Sequence, residues 1–190
     1  MLRNLALAPD TETADWSQLV RAARAAGITE AQLRVATSPD TVRRDFTSRI
    51  ERTLAGAADT ADPAIVVSAI ASLVEADTTT AGRLRLLPPL RRLTERDSTV
   101  LGAYYQIGKI GALTGKELDR ATRALERYLR TPVQQGQPSH GAAEWRLGMI
   151  AEARGDLARA RELYEKAARD DPSLKEASEA LARLGGVKEP

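Results

Sequence analysis

His140 is the only histidine in the 190-residue chain, and there is no cysteine. A lone imidazole cannot build a multi-histidine metal site. Without thiols there are no disulfides, thiol nucleophiles or zinc–cysteine sites. A Ser-His-Asp relay needs its histidine held rigidly between a nucleophile and an acid. His140 instead closes the segment TPVQQGQPSH, Thr131 to His140, which has two prolines, a glycine and no apolar periodicity. Acid pairs such as Asp170-Asp171 stand at an expected helix end, and there is no GxGxxG, phosphate loop or EF-hand spacing. The side chains that could do chemistry are of another kind. Tyr105, Gln106 and Lys109 lie in one stretch, and Trp145, Arg146, Met149 and Glu152 in another, at helical spacing. Aromatic, Met and Arg side chains are the usual anchors of recognition surfaces. Nothing in these residue types calls for a cofactor or a metal, and no arrangement of them points to an enzyme.

Charge narrows the partner. The chain has 28 basic and 26 acidic residues, for a net charge of +2. Residues 1–100 carry 13 of each sign and the remainder 15 against 13, so neither half has the surplus that phosphate-dominated binding needs. Two local features depart from this balance. RLRLLPPLRRLTER, Arg83 to Arg96, has five arginines and one glutamate and could meet an acidic partner or a membrane surface. Its proline pair interrupts any long amphipathic helix, which argues against the membrane. All five lysines fall after Val100, a shift in composition between two regions. The apolar stretch Leu5 to Ala8 is too short for a signal-peptide core, and no run approaches the roughly 18 apolar residues of a membrane span. The expectation is a soluble cytoplasmic protein.

Apolar spacing is helical almost throughout, so the expected fold class is all-α. A first helix runs from near Thr13 with Trp16, Leu19, Val20 and Ala23 on one face, and stops near Gly27. A short helix follows over Thr29 to Ala36. Ser38-Pro39 opens another, carrying Val42, Phe46, Ile50 and Leu54 and ending by Gly56. Asp62-Pro63 starts a helix to about Ala76; Asp77 and three threonines then form a loop. Pro88-Pro89 marks a further helix start, with Leu90 and Leu93 on its buried face.

From there the chain repeats itself. YYQIGKIGALTGKELDRATRALERY, Tyr104 to Tyr128, matches WRLGMIAEARGDLARARELYEKA, Trp145 to Ala167. Ile107-Gly108 pairs with Leu147-Gly148 and Gly115 with Gly155 at an offset of 40; Ala121 pairs with Ala160 and Leu125 with Tyr164 at 39. Gly108 and Gly148 let two helices approach closely, and Gly115 and Gly155 turn the chain between them. Ala121 and Ala160 are small where helices cross. Asp171-Pro172 ends the second helix, and Ala177, Ala180, Leu181 and Leu184 form one face of a helix over residues 175–184 that would cover the last unit.

These segments resemble the tetratricopeptide repeat (TPR), about 34 residues folded as two antiparallel helices, with the excess length placed in the Thr131–His140 loop. The resemblance covers units 101–139 and 141–174, with the capping helix 175–184. Residues 62–100 read as a degenerate helical hairpin and 1–61 as an N-terminal helical region. It implies a short right-handed solenoid whose first helices line a concave groove, and an adaptor or scaffold that binds a peptide or helix of another protein there. The uncovered end of so short a stack could also bring two copies together as a homodimer.

The family pattern has a bulky residue three before the Leu-Gly pair, packed between helices. Tyr104 fits. Trp145 sits only two before Leu147, a rotation of about 100° that turns it toward the groove beside Tyr105. The expected groove residues are Tyr105, Gln106, Lys109, Trp145, Arg146, Met149 and Glu152. Tyr105 and Trp145 replace the lysine, and Met149 the asparagine, with which some relatives grip a C-terminal carboxylate, so such a clamp is not expected. An alternative concerns the N-terminal third, where SPDTVRRDFTSRIERTL resembles the recognition helix of bacterial response-regulator-type DNA readers. Arg43, Arg44, Arg49 and Arg52 would then face DNA in a transcriptional regulator whose C-terminal part binds protein. Asp40, Asp45 and Glu51 cancel most of that charge, so nucleic acid is the less favoured partner.

Overall fold

The computed structural model describes residues 52–54 and 56–185. The expected helices before that, and Arg43, Arg44 and Arg49, lie outside the described residues. Everything described as regular structure is helical. Among the described residues no helix is long and apolar enough to cross a membrane. The chain divides into two compact units, the first ending at Ala103 and the second beginning at Tyr104.

In the first unit, helix continues over residues 56–60, past the stop expected at Gly56, and buries Leu54 and Ala58 completely. Helix α1 (Pro63–Ala76) begins as the sequence suggests. Asp62 Oδ1 accepts from the Ala64 N–H at 2.8 Å and Pro63 occupies the first turn, where a missing N–H costs nothing. Its core face is Val66, Ala69, Ile70, Leu73 and Val74. The threonine loop is shorter than expected. Thr79 caps a one-turn helix, α2 (Thr80–Leu84), by accepting from the Gly82 N–H at 3.0 Å. Helix α3 (Leu87–Arg96) has the proline pair in its first turn and buries Leu87, Pro89, Leu90 and Leu93.

The arginine-rich stretch acts inside this unit. Arg83 Nε donates to the Val74 carbonyl at 3.1 Å, Arg92 pairs with Asp59 at 3.2 Å and Arg96 donates to the Ala61 carbonyl at 3.1 Å. These side chains tie helix ends together.

The second unit is built on helices α4 (Leu101–Thr114), which begins three residues before the division, α5 (Leu118–Leu129), α6 (His140–Ala153), α7 (Leu157–Asp170) and α8 (Lys175–Gly185). Helices α4 and α5 are antiparallel. Tyr105 meets Tyr128 with ring centroids 5.3 Å apart, Gly108 faces Leu125 and Gly111 faces Ala121, so one number falls as the other rises. Helices α6 and α7 repeat the arrangement: Gly141 lies against Ala167 and Gly148 against Tyr164. A Cβ at Gly108 would come within 2.2 Å of Leu125 Cγ, and one at Gly148 within 2.4 Å of the Tyr164 ring, so both sites exclude a side chain. Helix α5 also packs on α6, and α8 on α7.

The two connections are equally long but place their glycine differently. Arg154-Gly155-Asp156 joins α6 to α7 and Gly115-Lys116-Glu117 joins α4 to α5, so one more residue separates the glycine from the next helix in the first hairpin. The additional residue, Glu117, sits at φ 51°, ψ 36°, in the left-handed region. It accounts for the fall in repeat offset from 40 to 39 between the glycines and the alanines.

His140 does not belong to a loose loop. It is the first residue of α6, with Nε2 2.9 Å from the Thr131 carbonyl and its ring edge-on to Tyr128. Tyr128 in turn donates to the Pro138 carbonyl. The segment before α6 is thereby pinned at both ends, because a buried tyrosine hydroxyl must find a partner. Burial also pushes the Tyr128 phenol up to about 12.

Candidate protein-interaction face

Helix α6 has three flanks. One, with Gly141, Glu144, Gly148 and Glu152, meets α7; a second, with Leu147, Ile150, Ala151 and Arg154, turns toward α5 and the start of α7. At 100° per residue the third carries Ala142, Trp145, Arg146, Met149 and Ala153. Ala142, Trp145 and Met149 are half-buried and Ala153 is exposed.

The Arg146 side chain is 9% exposed. Its guanidinium carbon lies 4.0 Å from the centre of the Trp145 ring, and one terminal nitrogen lies 3.3 Å from the Met149 sulfur. The π face and the thioether are soft partners for a cation. Among the described residues Arg146 Nε has no hydrogen-bond partner. The third flank thus offers an indole, a thioether and an alanine pair around a donor still to be satisfied.

The equivalent flank of α4 is closed. Tyr105, Gln106 and Lys109 are only 5%, 6% and 8% exposed, so none of the three presents itself as an open groove residue. The reason for Tyr105 is its place one turn before Gly108, on the stripe that meets α5, where Tyr128 offers a ring to lie on. It is Tyr104 that stays half-buried. The residue matching Tyr128 in the second hairpin is Ala167, so Trp145 finds no such ring there. Gln106 stands where α6 has Arg146 and likewise keeps a buried unpaired atom, Oε1.

Glu152 is committed to structure. It accepts from the Tyr164 hydroxyl at 2.8 Å and from both terminal nitrogens of Arg183, one at 2.9 Å, joining α6, α7 and α8. Arg183 holds its carboxyl below the usual range, while burial and the adjacent carboxylate push the Tyr164 phenol up.

Glu144 escaped the sequence reading. It occupies the position three before Leu147, where a bulky apolar residue was expected, and is 1% exposed. Lys166 of α7 binds one of its oxygens, the other has no hydrogen-bond partner placed within reach among the described residues, and burial, with Asp170 beside it, raises its carboxyl above the usual value. The signal was present: Lys166 immediately precedes Ala167 on the facing helix, within reach of that position.

A small crevice of about 130 Å³ separates α5, α6 and α7, floored by Leu147, Ile150, Ala151 and Leu163. It is well below the roughly 300 Å³ at which small-molecule sites begin.

Neither a scan against protein-family models nor searches of curated proteins and of solved structures gives a match to this chain.

Proposed function

We propose that this protein is a non-enzymatic protein-interaction module of tetratricopeptide-like architecture, and that it binds a peptide or helix of a partner through the third flank of α6. One observation carries the reading: Arg146 is buried against Trp145 and Met149 with its Nε unsatisfied, on the flank that neither α5 nor α7 covers. A buried donor without an acceptor costs about 1–3 kcal/mol. A small outward rotation of the Arg146 side chain would let an incoming main-chain or carboxylate oxygen remove that penalty while the apolar rim loses water. The antiparallel pairs α4–α5 and α6–α7, with glycine at each close approach, support the repeat architecture.

Peptides selected from a displayed random library on the wild-type protein test this. Trp145→Ala and Met149→Ala should each weaken the selected peptides at least about tenfold, as loss of an interface anchor does. Their thermal unfolding should change little. Undiminished peptide binding, or a loss of about 3–5 kcal/mol of stability in Trp145→Ala, the mark of a core tryptophan, would overturn it.

A further inference from the structure

The outer surface of α5 carries a second feature, independent of the α6 flank. Its arginines stand at 120, 123, 127 and 130, and all four are exposed. At 100° per residue they lie within an arc of about 80°, along about 15 Å of helix. They are turned well away from Ala121, Ala124, Leu125 and Tyr128, the buried side. Among the described residues Arg120 has only Glu117 at 3.5 Å, and Arg130 Nε donates to the Glu126 carbonyl at 3.3 Å. Among the described residues neither Arg123 nor Arg127 meets a carboxylate or another acceptor.

The second hairpin acts as an internal control. At the equivalent positions α7 has Arg159, Glu162, Lys166 and Arg169. There Arg159 pairs with Glu162 at 2.8 Å and Lys166 with Glu144. In the first hairpin both neutralising acids are missing. Arg123 stands in place of Glu162, and Tyr104 in place of Glu144. The hairpin therefore does not need an open cationic row, and α5 has one.

We propose that this row docks an acidic helical segment of a partner protein, with Asp or Glu at the matching i, i+3, i+7 and i+10 positions. An acidic helix is favoured over a nucleic-acid strand on two grounds. Glu117, Asp119 and Glu126 lie within a turn of the row and would repel a continuous phosphate backbone. The net charge of only +2 leaves little of the sequence-independent attraction on which strand binding depends. Single exposed ion pairs are weak, so binding depends on several guanidiniums acting together and falls with salt.

The probe is a synthetic alanine-based helical peptide of about 18 residues bearing four glutamates at that spacing, followed by fluorescence anisotropy. A control peptide has the same composition with its glutamates spread around the helix. The striped peptide should bind wild type, weaken about tenfold between about 50 and 300 mM salt, and outbind the control. Arg123→Glu with Arg127→Glu should abolish binding, and Arg123→Gln with Arg127→Gln should reduce it partly, the milder pair guarding against loss of fold. Arg159→Glu on α7 should leave binding unchanged. Equal binding of both peptides, binding that survives the Arg123/Arg127 exchanges, or no binding overturns the proposal. So does a single-stranded oligonucleotide that binds more tightly than the peptide and is lost with the same exchanges.

Discussion

Glu144 lies completely inside the α6–α7 seam while Lys166, which binds it, remains half exposed. The carboxylate bears the desolvation and the ammonium only partly relieves it, so the two partners respond unequally to substitution. Lys166→Met strands a buried carboxylate and should cost about 1–3 kcal/mol in urea unfolding at neutral pH. Glu144→Gln leaves a half-solvated ammonium and should cost far less. The double change should recover most of what Lys166→Met loses.

Two acids on α6 should respond to pH with opposite sign. Burial raises the Glu144 carboxyl, so its folded value exceeds the unfolded one; its stabilising contribution is present below the unfolded value and is lost as pH rises through the folded one. Arg183 lowers Glu152, so its contribution is present above the unfolded value and is lost as pH falls through the folded one. Relative to wild type, Glu152→Gln should flatten the acid limb of a stability–pH curve and Glu144→Gln should steepen it. Parallel curves for wild type and both variants would contradict the assignment.

The Glu152 network should also show in the melting of the C-terminal helix. Arg183→Ala removes the bonds that fasten α8 to Glu152, and Tyr164→Phe removes one neutral donor to the same carboxylate. Each should cost about 1 kcal/mol, with faster amide exchange in α8 for the arginine variant.

Glycine sites separate packing from conformation. Gly148→Ala gains about 1 kcal/mol of helix propensity but drives a methyl into the Tyr164 ring, and should lose about 1–3 kcal/mol net. Glu117→Gly does the reverse: it removes the left-handed strain of a non-glycine residue and should raise stability by up to about 1 kcal/mol. Thermal unfolding of the two variants checks both signs.

Helical class was legible because the apolar spacing is strong, and the close approaches at Gly108 and Gly148 because a missing side chain is written directly in the sequence. The extra residue at Glu117 was already visible as a change of offset. What depended on the partner across the hairpin was not. Tyr105 and Trp145 look equivalent along the chain, yet Tyr128 buries one and Ala167 leaves the other half open. Glu144 was missed because its burial relies on Lys166, 22 residues away. Helix α2 was missed because three threonines suggest a loop until one of them is seen to act as a cap. Of the expected groove residues, Trp145, Arg146 and Met149 share one flank of α6, while Glu152 and Tyr105 are held by other partners.

Three helices end in one local design. Asp77, Asp97 and Asp171 each stand just past a last turn, and Oδ1 of each accepts both the N–H and the hydroxyl of the residue two further on, Thr79, Thr99 or Ser173. At Asp171 the second carboxylate oxygen also takes the Ser139 hydroxyl, which fixes that corner to the start of α6. The Oδ1 bonds at Asp77 and Asp97 are made within three consecutive residues, so these two corners are natural joints for recombination: a helix cut after one of these two aspartates and spliced onto the stretch that follows the other should leave the bend intact, allowing the chain to be lengthened or shortened by whole segments.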